Sequence, residues 1–146
     1  KKILIQLRRN VALALNVLAG NWFDRLKERM DIRAALPALI AALQDADGSV
    51  RAWSAQAIGE IGPDGAQAVP ALVALLGSAD EGSRNSACIA LYGIGPAAKD
   101  ALPALENALS DPSADVRRFA QRAVEKIRTL ADDLPSRSGQ LAARAT

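Results

Sequence analysis

Leu36-Pro37-Ala38-Leu39-Ile40-Ala41-Ala42-Leu43 returns 33 residues later as Val69-Pro70-Ala71-Leu72-Val73-Ala74-Leu75-Leu76. It returns again, after the same interval, as Leu102-Pro103-Ala104-Leu105-Glu106-Asn107-Ala108-Leu109. The agreement runs past the proline. Arg51, Arg84 and Arg117 fall in step, as do Ala57, Ala90 and Ala123, and then Ile61, Ile94 and Ile127. Residues 34–66 and 67–99 share 13 identities in 33 positions, and 34–61 and 100–127 share 12 in 28. An alanine-rich chain raises chance matches, but it does not align Pro, Arg and Ile together. A fixed period of this size marks stacked supersecondary units.

Each unit reads as two helices. Leu36, Leu39, Ile40 and Leu43 make one face of the first, and Val50, Ser54, Ala57, Ile58 and Ile61 make one face of the second. Pro37 suits a first helical turn, where its missing N–H is not needed. Asp47, Asp80 and Ser113 stand where an N-cap accepts backbone N–H bonds. Gly62-Pro63 and Gly95-Pro96 stop the second helices. The third unit lacks such a stop, so its last helix is expected to reach about Leu130. The pattern predicts helices near 34–46, 49–62, 66–78, 82–95, 99–110 and 114–130. The expected core is Leu39, Leu43, Ala57, Ile58, Ile61, Leu72, Leu76, Ala90, Leu91, Ile94, Leu105, Leu109, Ala123, Val124 and Ile127.

These residues resemble the HEAT repeat, in the short bacterial form also found in phycobilisome lyase HEAT-like proteins. The match lies in Leu36-Pro37-Ala38-Leu39 with Leu43, then Asp47 and Val50-Arg51, then Ala57-Ile58-Gly59 and Ile61-Gly62. The second unit departs from it, with Ser83 in place of the Val and Tyr92 in place of the Gly. The period is also that of ankyrin repeats, but no Thr-Pro-Leu-His occurs, and the tetratricopeptide pattern is absent too. The fold expected is all-α, an α-solenoid (α-α superhelix) of three HEAT-like helix pairs at 34–66, 67–99 and 100–131.

Around the repeats, residues 1–33 carry 8 basic and 3 acidic side chains, 34–100 carry 3 and 7, and 101–146 carry 7 and 6. Residues 2–19 and 22–30 read as two helices parted by Gly20-Asn21. With Trp22, Phe23 and Met30 as packing residues, they would cap the open end of the solenoid. Residues 132–146, with Pro135, Ser136, Ser138 and Gly139, read as a tail. Lys1, Lys2, Arg8 and Arg9 before the apolar run 11–19 loosely resemble a signal peptide, but Asn16 interrupts it and it is too short to span a bilayer. The single cysteine, Cys88, is compatible with a reducing compartment, and the expected location is cytoplasmic.

The chemistry is sparse. There is no His, which removes the commonest general base and metal ligand. One cysteine allows neither an internal disulfide nor a cysteine zinc site. No nucleophile–base pair, phosphate loop or metal spacing occurs. Asp45 and Asp47 read as turn and cap residues, and Cys88 as a small, half-buried residue. No enzyme activity, cofactor or metal is expected. Arg51, Arg84 and Arg117, with Asp47 and Asp80 as natural partners, read as a structural ladder, which is what the HEAT resemblance implies.

The function expected is a protein-interaction or scaffold module. Stacked helix pairs curve, and their second helices line a concave face. Beside the core stripe that face holds Trp53, Gln56 and Glu60 in the first unit. It holds Asn85, Ser86, Ile89, Tyr92 and Gly93 in the second, and Arg118, Phe119, Arg122 and Lys126 in the third. The surface runs from an acidic, aromatic end to a basic, aromatic end. Its expected partner is another protein or a peptide. The alternatives are an anion or nucleic-acid binder acting through the basic C-terminal helix, and a lyase-type chromophore chaperone. A membrane-surface role for residues 1–19 is a lesser reading. Trp53 and Phe119 have a plainer alternative, which is to fill space between helices.

Overall fold

A computed structural model describes residues 32–143, with side-chain surroundings over 34–132. The two N-terminal helices, the cap they would form and the residues Trp22, Phe23 and Met30 lie outside the described residues. The elements are α1 (Ile32–Ala42), α2 (Gly48–Ile61), a 3₁₀ segment (Gly62–Ala68), α3 (Val69–Leu76) and α4 (Glu81–Ile94). A second 3₁₀ segment (Gly95–Ala101), α5 (Leu102–Ala108) and α6 (Ala114–Ala143) complete them. There is no strand among the described residues. Helix α1 packs on α2, α3 on α4 and α5 on α6. The second helices α2, α4 and α6 stack side by side, and α3 touches α5 in the other layer. This two-layer stack is an α-solenoid.

The ends of the second helices follow from two glycines. Gly62 and Gly95 have φ of 76° and 73°, and no other described residue has a positive φ. A Cβ is strained there, so glycine alone turns the chain cheaply. The register position of Gly62 and Gly95 is Arg128 in the last pair, and α6 does not turn. It continues to Ala143, past the expected end near Leu130 and through residues 132–143 read as a tail. The two glycine turns lead into the 3₁₀ segments, so α3 and α5 begin later than the pattern predicts. Pro70 and Pro103 then fall in their first turns. Helix α1 is already helical at Ile32, which places Pro37 inside it rather than in its first turn.

Two expected core residues are not buried. After the 3₁₀ lead-in, α3 buries Val69, Leu72 and Leu75 at steps of three, and Leu76 is left half-buried. In α5 the buried pair is Leu105 and Ala108, and Leu109 is 39% exposed at the end of the helix. The other expected core residues are buried. Cys88 is fully rather than half-buried, and burial pushes its thiol up to about 12. It packs as a small apolar residue and holds no thiolate at neutral pH. Ala55 is buried in the same register, whereas Gln121 is exposed on α6.

The second helices do not approach each other equally. A Cβ placed on Gly93 of α4 would lie 2.4 Å from the Gly59 carbonyl oxygen of α2. A Cβ on Gly59 would lie 3.0 Å from the Cα of Ala90. Backbone meets backbone between α2 and α4, which only residues without side chains permit.

Candidate partner-binding surface

The arginines of the ladder occupy the turns between helices. Arg51 Nη1 donates to the carbonyls of Asp45 and Ala46 at 2.6 and 3.0 Å. Arg84 Nη1 does the same to Ser78 and Ala79, both at 3.0 Å, and Arg117 Nη1 to Asp111 and Pro112 at 2.6 and 3.0 Å. Each guanidinium closes the turn before its own helix. Two also reach forward to the next pair. Arg51 Nε donates to Ser83 Oγ at 3.0 Å, and its Nη2 lies 3.6 Å from Asp80 Oδ2. Arg84 donates through Nε and Nη2 to both oxygens of Asp111, at 2.8 and 3.1 Å.

Of the two expected carboxylate partners, Asp80 lies beside Arg51 as expected, and two further roles emerge. Asp47 caps α2, accepting the Ser49 N–H at 2.8 Å, and the acid that holds Arg84 is Asp111. Asp111 also accepts the Ser113 N–H at 2.9 Å. Asp80 accepts from both the amide and the hydroxyl of Ser83, at 2.9 and 2.6 Å. Ser83 therefore links Arg51 to Asp80. Its place in the pattern signalled something, since it is a buried polar residue where the other units have Val50 and Val116.

These contacts set a pH dependence. The Arg84 guanidinium holds the Asp111 carboxyl below the usual range, and the Ser83 hydroxyl and amide do the same for Asp80. A carboxyl whose pKa is lowered by folding stabilises the fold above its unfolded pKa and loses that effect as pH falls. The melting temperature should therefore drop on acidification below about pH 4. Asp111→Asn should shallow that drop, and Arg84→Ala should lower the neutral-pH melting temperature by several degrees. Equal acid slopes for wild type and Asp111→Asn would contradict the assignment.

The stripe beside the core is partly exposed. On α2, Trp53 and Gln56 are half-buried and Glu60 is exposed. On α4, Asn85 and Ile89 are half-buried and Tyr92 is 36% exposed. Asn85 Oδ1 is buried with no hydrogen-bond partner. Ser86 is buried and Gly93 faces α2, so neither belongs to the surface. On α6, Arg118 and Arg122 are exposed, while Phe119 and Lys126 are half-buried. Phe119 also packs against the core, so its ring fills space and lines the surface together.

Five of these residues come together between α4 and α6. Lys126 Nζ lies 4.2 Å from the centre of the Tyr92 ring. The Arg122 guanidinium lies 5.6 Å from that ring and 6.0 Å from Phe119. Arg118 lies 5.2 Å from the Phe119 ring. Cations over ring faces at these distances are attracted by the ring quadrupole. Trp53, Gln56 and Glu60 stand on α2 and take no part in these ring contacts. The cluster occupies a definite place in the repeat. Advancing the contact Gly59–Gly93 by one period gives Tyr92–Lys126. Where α2 and α4 meet backbone to backbone, α4 and α6 are separated by an aromatic ring and a lysine.

A sequence profile described as HEAT repeats matches residues 6–91 and 36–125. The chain belongs to the HEAT-repeat family. Among solved structures, this HEAT-repeat protein is similar to an engineered protein with a TM-score of 0.70 and 27% identity, over 83% of this chain and 56% of that one. It is also similar to a designed armadillo repeat protein with a TM-score of 0.64 and 27% identity, over 82% of this chain and 58% of that one. The chain thus spans a little over half the length of each. No curated protein matches it. Among the described residues, no helix is long and apolar enough to cross a membrane.

Proposed function

We propose that this HEAT-repeat protein is a non-catalytic scaffold that binds another protein or a peptide on the concave face of its second helices. The observation that supports this reading most is the replacement of the Gly59–Gly93 contact by Tyr92–Lys126. The small residues that would close the stack are absent at one step, and a partly exposed ring and a half-buried lysine stand there instead. Trp, Tyr and Arg are the side chains that most often dominate binding energy. Packing alone does not require three cations along one side of α6, because like charges four residues apart destabilise a helix. A bacterial, cytoplasmic setting and the narrower likeness to phycobilisome lyase HEAT-like proteins belong to this proposal.

Affinity capture from the source cells, followed by mass spectrometry, tests it. Arg122→Ala, at an exposed position, should leave the melting temperature within about a degree, Trp53→Ala, at a half-buried one, should lower it only modestly, and both should abolish recovery of the partner. A large loss of stability on Trp53→Ala, with capture intact on Arg122→Ala, would mean the stripe only fills space.

A further inference from the structure

We infer that the partner presents an acidic segment, held extended along α6, with carboxylates at alternate positions paired to Arg118, Arg122 and Lys126. This rests on the scaffold reading and names the chemistry of its partner. The three cations follow one another at steps of four residues, so they are spaced by about 6 Å along the helix axis. An extended chain advances about 6.6 Å every two residues and turns alternate side chains to one side. The two spacings nearly agree over three charges.

The cations are also available. Among the described residues, Arg122 and Lys126 have no carboxylate within ion-pair distance, and Arg118 meets only Asp115, at 2.9 Å and largely in solvent. Such an exposed pair is held weakly and yields readily to a competing acid. The rings orient what they hold. A guanidinium lying over a ring is covered on its face, while its N–H groups point outward at the edge, where a carboxylate accepts two of them. The same contacts weigh against nucleic acid. Sequence-tolerant binding of single strands needs open aromatic faces on which bases stack. Here Lys126 and Arg122 already lie over Tyr92, and Arg118 and Arg122 over Phe119.

Fluorescence anisotropy on the full chain, with a labelled peptide of alternating Glu and Ser, tests this. The peptide should bind, and binding should weaken as salt rises. Arg122→Gln and Lys126→Gln should each weaken it on the order of tenfold, the scale of one charge-assisted hydrogen bond. A peptide of the same composition with its glutamates gathered at one end should bind less well. The double variant Arg122→Glu, Lys126→Glu should lose the Glu-Ser peptide and gain an alternating Lys-Ser peptide, a switch that unfolding does not produce. Tighter binding of a single-stranded oligonucleotide of equal charge would overturn the inference, as would unchanged affinity in the single variants or no binding of the Glu-Ser peptide. If the peptide fails while cellular capture still depends on Arg122, only the acidic-segment inference falls. If both fail, the binding surface falls with it.

Discussion

Gly93→Ala should lower the melting temperature by roughly 10 °C, the scale of an overpacked core site. The added methyl would sit 2.4 Å from the Gly59 carbonyl oxygen, 2.8 Å from its carbonyl carbon and 2.8 Å from its Cα. All three are backbone atoms of α2, so no side chain can swing aside. The helices must part, and the apolar contacts on both sides of the crossing loosen with them. Helix propensity acts the other way, since Ala is favoured over Gly by about 1 kcal/mol in a helix interior. The steric term should win because it involves two rigid backbones. Gly82→Ala is the matched control. Its Cβ would meet nothing closer than 3.7 Å, so it should be neutral or slightly stabilising. Thermal melts followed by circular dichroism give both values. A Gly93→Ala protein as stable as wild type would show that α2 and α4 are not in backbone contact.

Leu105→Ala should cost about 2–5 kcal/mol, a large part of the total stability of a small domain. Leu105 is fully buried, and its helix α5 packs on α6 and touches α3. Truncation leaves a cavity where several helices meet, and helices on every side resist collapse into it. Leu109→Ala separates burial from repeat position. Leu109 matches the buried Leu43 in register but is 39% exposed, so its loss should cost only about 1 kcal/mol. Chemical denaturation of the two variants measures the difference. Equal losses would contradict the exposure of Leu109.

Much of this architecture was legible in the residues. The period of Pro37, Pro70 and Pro103 located the helix pairs, and the Gly-Pro pairs located two of the helix ends. The same glycines, read for φ, explain why α6 runs on, since Arg128 stands in their register. Periodicity failed where local geometry shifts the register. Leu76 kept its place in the repeat, but the 3₁₀ entry to α3 turned Leu75 into the core instead. The ladder was legible in its arginines and not in its acids, because pairing across 27 residues depends on how units stack. The surface was legible only as a stripe. Tyr92 stood out as a departure from the pattern, but its meeting with Lys126 needed the stack. Nothing in the residues alone marked Gly93 as a contact rather than a surface position.

A partner seated on the second-helix surface beside Tyr92 would lie within reach of Ile89, on the same helix. A photo-crosslinking amino acid placed at Ile89 on α4, compared with one placed at Asn107 on the exposed side of α5, tests it most directly. A partner should crosslink through position 89 and none through position 107, and the first product should be lost when Arg122 is changed to Gln. A partner crosslinked through position 107, with nothing at position 89, would contradict it.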